Sequence, residues 1–76
     1  MFSYNISKTA DAEAFRKVCA NIESKVRNAK KEELLIDVDG TLIQIYNIDI
    51  GRIKVVNDYE IDAVYVDSVI CLSDVL

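Results

Sequence analysis

Residues 34–44, "LLIDVDGTLIQ", decide how the second half of this 76-residue chain folds. Apolar residues flank Asp39-Gly40 on both sides, and Asp-Gly in that setting is the strongest short-range signal for a β-hairpin. The reason is that a type I′ turn needs positive φ at both central positions, which Asp tolerates and Gly favours. With Asp39-Gly40 at the turn, Val38 pairs with Thr41, Ile36 with Ile43 and Leu34 with Ile45, and all six side chains point to one face. A slip of one residue would turn every one of them over, so turn chemistry and hydrophobic register support each other. The expectation is a hairpin that buries the Ile36/Ile43/Ile45 face and shows Leu35, Leu42 and Tyr46 on the opposite one.

The order Asp37, Asp39, Gly40, Thr41 after a hydrophobic run also resembles the first motif of the haloacid-dehalogenase-like hydrolases. That resemblance implies a nucleophile at Asp37, a general acid/base at Asp39, a tight turn at Gly40, a phosphate-facing hydroxyl at Thr41, and Mg²⁺ between the two carboxylates. It further implies a doubly wound parallel sheet whose later strands add a Ser or Thr, a Lys and more acidic ligands. Parallel strands need crossover connections of about a dozen residues or more, usually helices. The chain beyond Thr41 reads as continuous strand and turn, so a phosphohydrolase fragment is the weaker alternative to a hairpin. No metal ligand, cofactor site or catalytic residue is expected.

Upstream, "MFSYNIS" alternates Phe2, Tyr4 and Ile6 with polar residues, the period of a half-buried strand. In "TADAEAFRKVCANIESKVRNAKK", Ala12, Phe15, Val18, Cys19, Ile22, Val26 and Ala29 recur at three- and four-residue steps and form one helical stripe. Thr9 or Asp11 can cap its start, Asp11 and Glu13 suit the positive end of its dipole, and Arg27, Lys30 and Lys31 suit the negative end. The basic run therefore reads as a solvated helix end rather than a nucleic-acid patch.

Downstream, "RIKVVNDYEIDAVYV" suggests a second hairpin, with a three-residue loop through Tyr59 that sets Ile53 and Val55 opposite Ala63 and Ile61, and Lys54 opposite Asp62. The tail "DSVICLSDVL" reads as a last strand with Ile70 and Leu72 inward, or else as a short capped helix. These elements make a single α+β domain over residues 1–76, with one long helix on one face of a mostly antiparallel sheet of four or five strands, in the order β-α-β-β-β-β.

Hydrophobic residues at 51%, with two glycines and no proline, describe a folded chain. At this length folding buries only about 60% of the unfolded chain's surface, so the core is small. No apolar run approaches a membrane span and the start lacks the basic, then apolar, pattern of a signal peptide, so a cytoplasmic location is expected. Cys19 and Cys71 are then two reduced core thiols. With no histidine, no Gly-rich phosphate loop and no thiol or hydroxyl beside an evident base, the chain reads as a non-enzyme.

The net charge of −4 is uneven. Residues 37–76 carry Asp37, Asp39, Asp49, Asp58, Glu60, Asp62, Asp67 and Asp74 against Arg52 and Lys54 alone. Such a surface disfavours direct nucleic-acid binding and complements a basic protein. Apolar residues rimmed by carboxylates are expected to form a partner-binding surface of Leu35, Asp37, Leu42, Tyr46, Glu60, Asp62, Val64 and Val66. The expected function is a small acidic module that docks on a larger, basic, nucleic-acid-binding protein and modulates or inhibits it. Phage and other mobile-element proteins that block host defence nucleases by nucleic-acid mimicry offer the analogy, and a self-associating homodimer is the alternative.

Overall fold

The computed structural model describes residues 1–76 and arranges them as β1 (Phe2–Ser7), α1 (Ala12–Lys25), β2 (Lys30–Lys31), β3 (Leu35–Ile36), β4 (Leu42–Ile48), β5 (Gly51–Asp58) and β6 (Ala63–Ser68). All pairings are antiparallel; the sheet runs β1-β6-β5-β4-β2, and β3 adds to β4. One helix after the first strand covers one face, the α+β arrangement the sequence implies, with two very short strands bringing the count to six.

Asp11 starts the helix: its extended backbone turns the chain, and its carboxylate accepts the amide hydrogens of Glu13 at 2.9 Å and Ala14 at 3.1 Å. Phe15, Val18, Cys19 and Ile22 form the buried stripe. The helix stops sooner than the stripe suggests, because Val26 turns extended while its amide still reaches the Ile22 carbonyl at 2.8 Å. Arg27, Lys30 and Lys31 therefore do not cap a helix. Lys30 and Lys31 instead pair with Asn47 and Tyr46, supplying partners for backbone groups on the outer edge of β4.

The first hairpin forms, in a register one residue away from the expected one. Leu35 pairs with Ile43 and Ile36 with Leu42. The Asp37 amide donates to the Thr41 carbonyl and the Gly40 amide to the Asp37 carbonyl, which closes a three-residue loop, Val38-Asp39-Gly40, with Gly40 at φ 88°. A turn ending in a positive-φ glycine is the usual three-residue solution, and it reverses the parity of β4 against β3, which keeps Leu35 on the outer face. Leu42, Gln44 and Tyr46 thus face the helix, while Leu35, Ile43 and Ile45 face away.

Polar atoms on the helix side of β4 are satisfied, which is what lets this parity stand. Gln44 Nε2 donates to the Glu32 carbonyl at 2.6 Å and holds the break between β2 and β3. Tyr46, 1% exposed, donates its hydroxyl to Glu23 at 2.5 Å, and Lys31 pairs with the same carboxylate at 3.2 Å. The Tyr46 hydrogen bond, reinforced by Lys31 and opposed by partial burial, holds Glu23 below its ordinary value; burial and Glu23 push Tyr46 up.

The β5–β6 hairpin also departs from expectation. Asp58 pairs with Ala63, Val55 with Val66 and Lys54 with Asp67, leaving the four-residue loop Tyr59–Asp62. Asp62 closes it at φ 55°, a conformation Asp tolerates better than most residues. Between β4 and β5, the turn at Asp49-Ile50 leads into Gly51, where an added Cβ would stand 2.7 Å from a Val69 methyl.

The core joins Phe15, Val18, Cys19 and Ile22 to Tyr46, Ile53, Val55, Val64, Val66 and Leu72, flanked by Tyr4, Ile6, Leu42 and Ile70. The tail is neither strand nor helix. Leu72 enters the core and its amide donates to the Tyr4 hydroxyl at 2.7 Å, while a short turn carries Val75 and Leu76 back toward the Leu72 carbonyl. Cys19 is buried as expected, but Cys71 is exposed beside Tyr4 and Ser73.

Two stability measurements check this packing. Ile53→Ala is expected to cost about 2–5 kcal/mol in urea unfolding while Lys54→Ala stays within about 0.5 kcal/mol; equal costs would contradict the assigned faces. A carboxylate whose folded pKa is lowered stabilises the fold above its unfolded pKa and loses that contribution as pH falls through the folded one. The urea midpoint of the wild type should therefore fall more steeply below pH 4.5 than that of Glu23→Gln, and parallel acid limbs would exclude the Glu23–Tyr46 linkage.

Candidate functional site

Strand direction brings the helix N-terminus, the β3–β4 loop and the β5–β6 loop to one end of the molecule. Contacts between them fix that end. Thr41, which is buried, accepts the Tyr59 amide hydrogen on Oγ1 at 3.1 Å, and a Cβ on Gly40 would lie 3.5 Å from the Tyr59 ring. Asp62 accepts the Ala10 amide at 2.7 Å and Asn57 accepts the Asp11 amide at 2.9 Å.

The carboxylates at this end are held in place by the turns they make. Asp11 caps the helix, Asp37 accepts from the Val38 amide at 2.7 Å, Asp39 from the Thr41 amide at 2.9 Å, and Asp58 from the amides of Glu60 and Ile61 at 2.9 and 3.3 Å. The Thr41 amide and hydroxyl hold the Asp39 carboxyl below its ordinary value. Glu60 extends free of such bonds. Between these charges stand the exposed apolar side chains of Val38, Tyr59 and Ile61, Val38 being fully exposed at the loop tip. The arrangement suits contact with a basic surface: fixed negative charge around a few apolar anchors.

Of the eight residues expected at a partner surface, Asp37, Glu60 and Asp62 come together here, and Leu35 is half exposed on the outer sheet face. The other four are displaced by the register. Tyr46, Val64 and Val66 are core residues, and Leu42 packs partly buried against them, so none of these presents an outward face. The outer face is instead built by Leu35, Ile43, Ile45, Val56 and Tyr65; Ile43 and Tyr65 flank Val56 so closely that only 1% of it is exposed. Asp39, Asp58 and Tyr59 are readable in the sequence as turn residues, whereas Val38 and Ile61 read as strand residues, and all five become site candidates only once the two loops are seen side by side.

The hydrolase-like motif lies in an antiparallel hairpin rather than at the end of a parallel strand. Asp37 and Asp39 accept backbone amides of their own loop, and Thr41 turns its hydroxyl inward to Tyr59. No group of three or more His, Cys, Asp or Glu side chains has the spacing to hold a metal ion. These residues do not fit the Mg²⁺ site that the motif implies. No helix is long and apolar enough to cross a membrane.

Comparison of the chain with models of protein families, with curated proteins and with solved structures found no match.

Gly40→Ala tests the turn that holds the two loops together. The substituted Cβ has room beside Tyr59, so the cost should be that of a non-glycine residue at positive φ, about 1–2 kcal/mol in urea unfolding. An unchanged midpoint would contradict the three-residue turn.

Proposed function

We propose that this protein is a small, non-enzymatic binding module that docks its acidic end on a larger protein with a basic, nucleic-acid-binding surface and modulates or inhibits it. The supporting observation is the grouping of Asp11, Asp37, Asp39, Asp58, Glu60 and Asp62 around exposed Val38, Tyr59 and Ile61. Carboxylates locked by backbone amides lose little further freedom when a partner's Lys or Arg side chains approach, which lowers the ordering cost of association. Nucleic acid itself, being polyanionic, is repelled by such an end, whereas a protein surface that binds phosphates is attracted to it. A phage or mobile-element inhibitor that occupies the nucleic-acid site of a host nuclease would use this chemistry, and the protein would act in the cytoplasm.

The test uses residues that carry no turn. Charge reversal at Asp62 would also remove the bond to Ala10, whereas the side chains of Val38 and Glu60 make no such contact. A native pull-down with the wild type should retain a basic partner, in a salt-sensitive manner, that Val38→Lys/Glu60→Lys does not retain. Retention of the same partner by both proteins with the same salt dependence would remove the acidic end as the contact.

A further inference from the structure

We propose that β1 is a self-association edge, at which a second copy of this chain adds its own β1 antiparallel to form one continuous sheet. β1 pairs with β6 on one side only, so its other side presents unpaired backbone donors and acceptors that an extended strand can satisfy. The two edges of the sheet differ in how they are protected. At the β4 edge, two-residue strands and the charges of Lys30 and Lys31 cover the backbone, which are familiar obstacles to edge pairing.

The β1 segment, "FSYNIS", contains no charged residue and no proline. Its one obstacle is the irregularity between Asn5 and Ser7, which leaves Phe2 through Asn5 in regular register with β6. A two-fold contact places the same segment against itself, so the segment must tolerate its own copy. This one does: with the axis near Tyr4, Ser3 of one copy faces Asn5 of the other within the regular stretch, without a like-charge pair. Antiparallel pairing about an axis normal to the sheet keeps both helices on the same side, so the two cores meet. The pairing uses none of the residues of the acidic end, and the inference stands independently of the proposed docking function.

The experiment is the solution mass of the 8.6 kDa chain by light scattering over a concentration series, with amide exchange of β1 read by NMR. Asn5 is exposed and its side chain makes no hydrogen bond, so Asn5→Lys and Asn5→Glu leave the fold intact while placing like charges diagonally across the two-fold axis. The wild type is expected to reach twice the single-chain mass with slowed β1 exchange, each variant alone to stay single, and an equimolar mixture of the two to regain the doubled mass. A single-chain mass for the wild type at NMR concentrations would overturn the proposal. So would a doubled mass that both variants keep, or one lost only on Ile45→Lys, which would move the contact to the outer sheet face.

Discussion

One helix closes one face of the whole sheet, and this constraint shapes everything else. Phe15, Val18, Cys19 and Ile22 are its only buried side chains, and they join one core with Ile53, Val55, Val64 and Val66 of β5 and β6. A single helix is narrower than the sheet it covers, so its flanks need other cover. On one side the tail supplies it, with Leu72 in the core and its amide anchored on the Tyr4 hydroxyl. On the other, Tyr46 extends beneath the helix to Glu23, joining sheet and helix through a charge-assisted hydrogen bond that is stronger than a neutral one.

Much of the architecture is legible in the sequence. The helix stripe, a cap at Thr9 or Asp11, the first strand and the turn positions near Asp39-Gly40 and Tyr59 all come from local chemistry. Registers do not, because both faces of β4 are apolar enough to be buried: Ile43 and Ile45 on one side, Leu42 and Tyr46 on the other. Gln44 weighs against the face that is used, and the distant Glu32 carbonyl, which accepts the shorter of its two amide hydrogen bonds, makes that burial tolerable. A residue three-dimensionally close but twelve positions away leaves no mark in a periodicity. The β5–β6 loop fails to read for a related reason. Its four residues are set by Asp58 and Asp62 bonding to backbone, not by alternation.

Strand parity also moves the candidate surface. A two-residue first turn would leave Tyr46 available on the outer face, and a three-residue second loop would do the same for Val64 and Val66. Asp37, Glu60 and Asp62 keep their place at the surface because loop residues are indifferent to that parity. At the acidic end, structure and charge share the same atoms. Each aspartate that shapes a turn also contributes to the field there, so the aspartates' share of the negative surface is as rigid as the loops that bear it, and that share cannot be rearranged without altering the turns.

Chain order along the sheet also sets the order in which it can be assembled. β4, β5 and β6 are neighbours in sequence and join through short hairpins, but Phe2 must find Ser68 from nearly the full length of the chain away. Loop closure of that span costs entropy before any contact offsets it. On loop-closure entropy alone the N-terminal strand would join the sheet after the β4–β6 meander, so that β6, an interior strand in the finished molecule, would spend the early part of folding as an open edge.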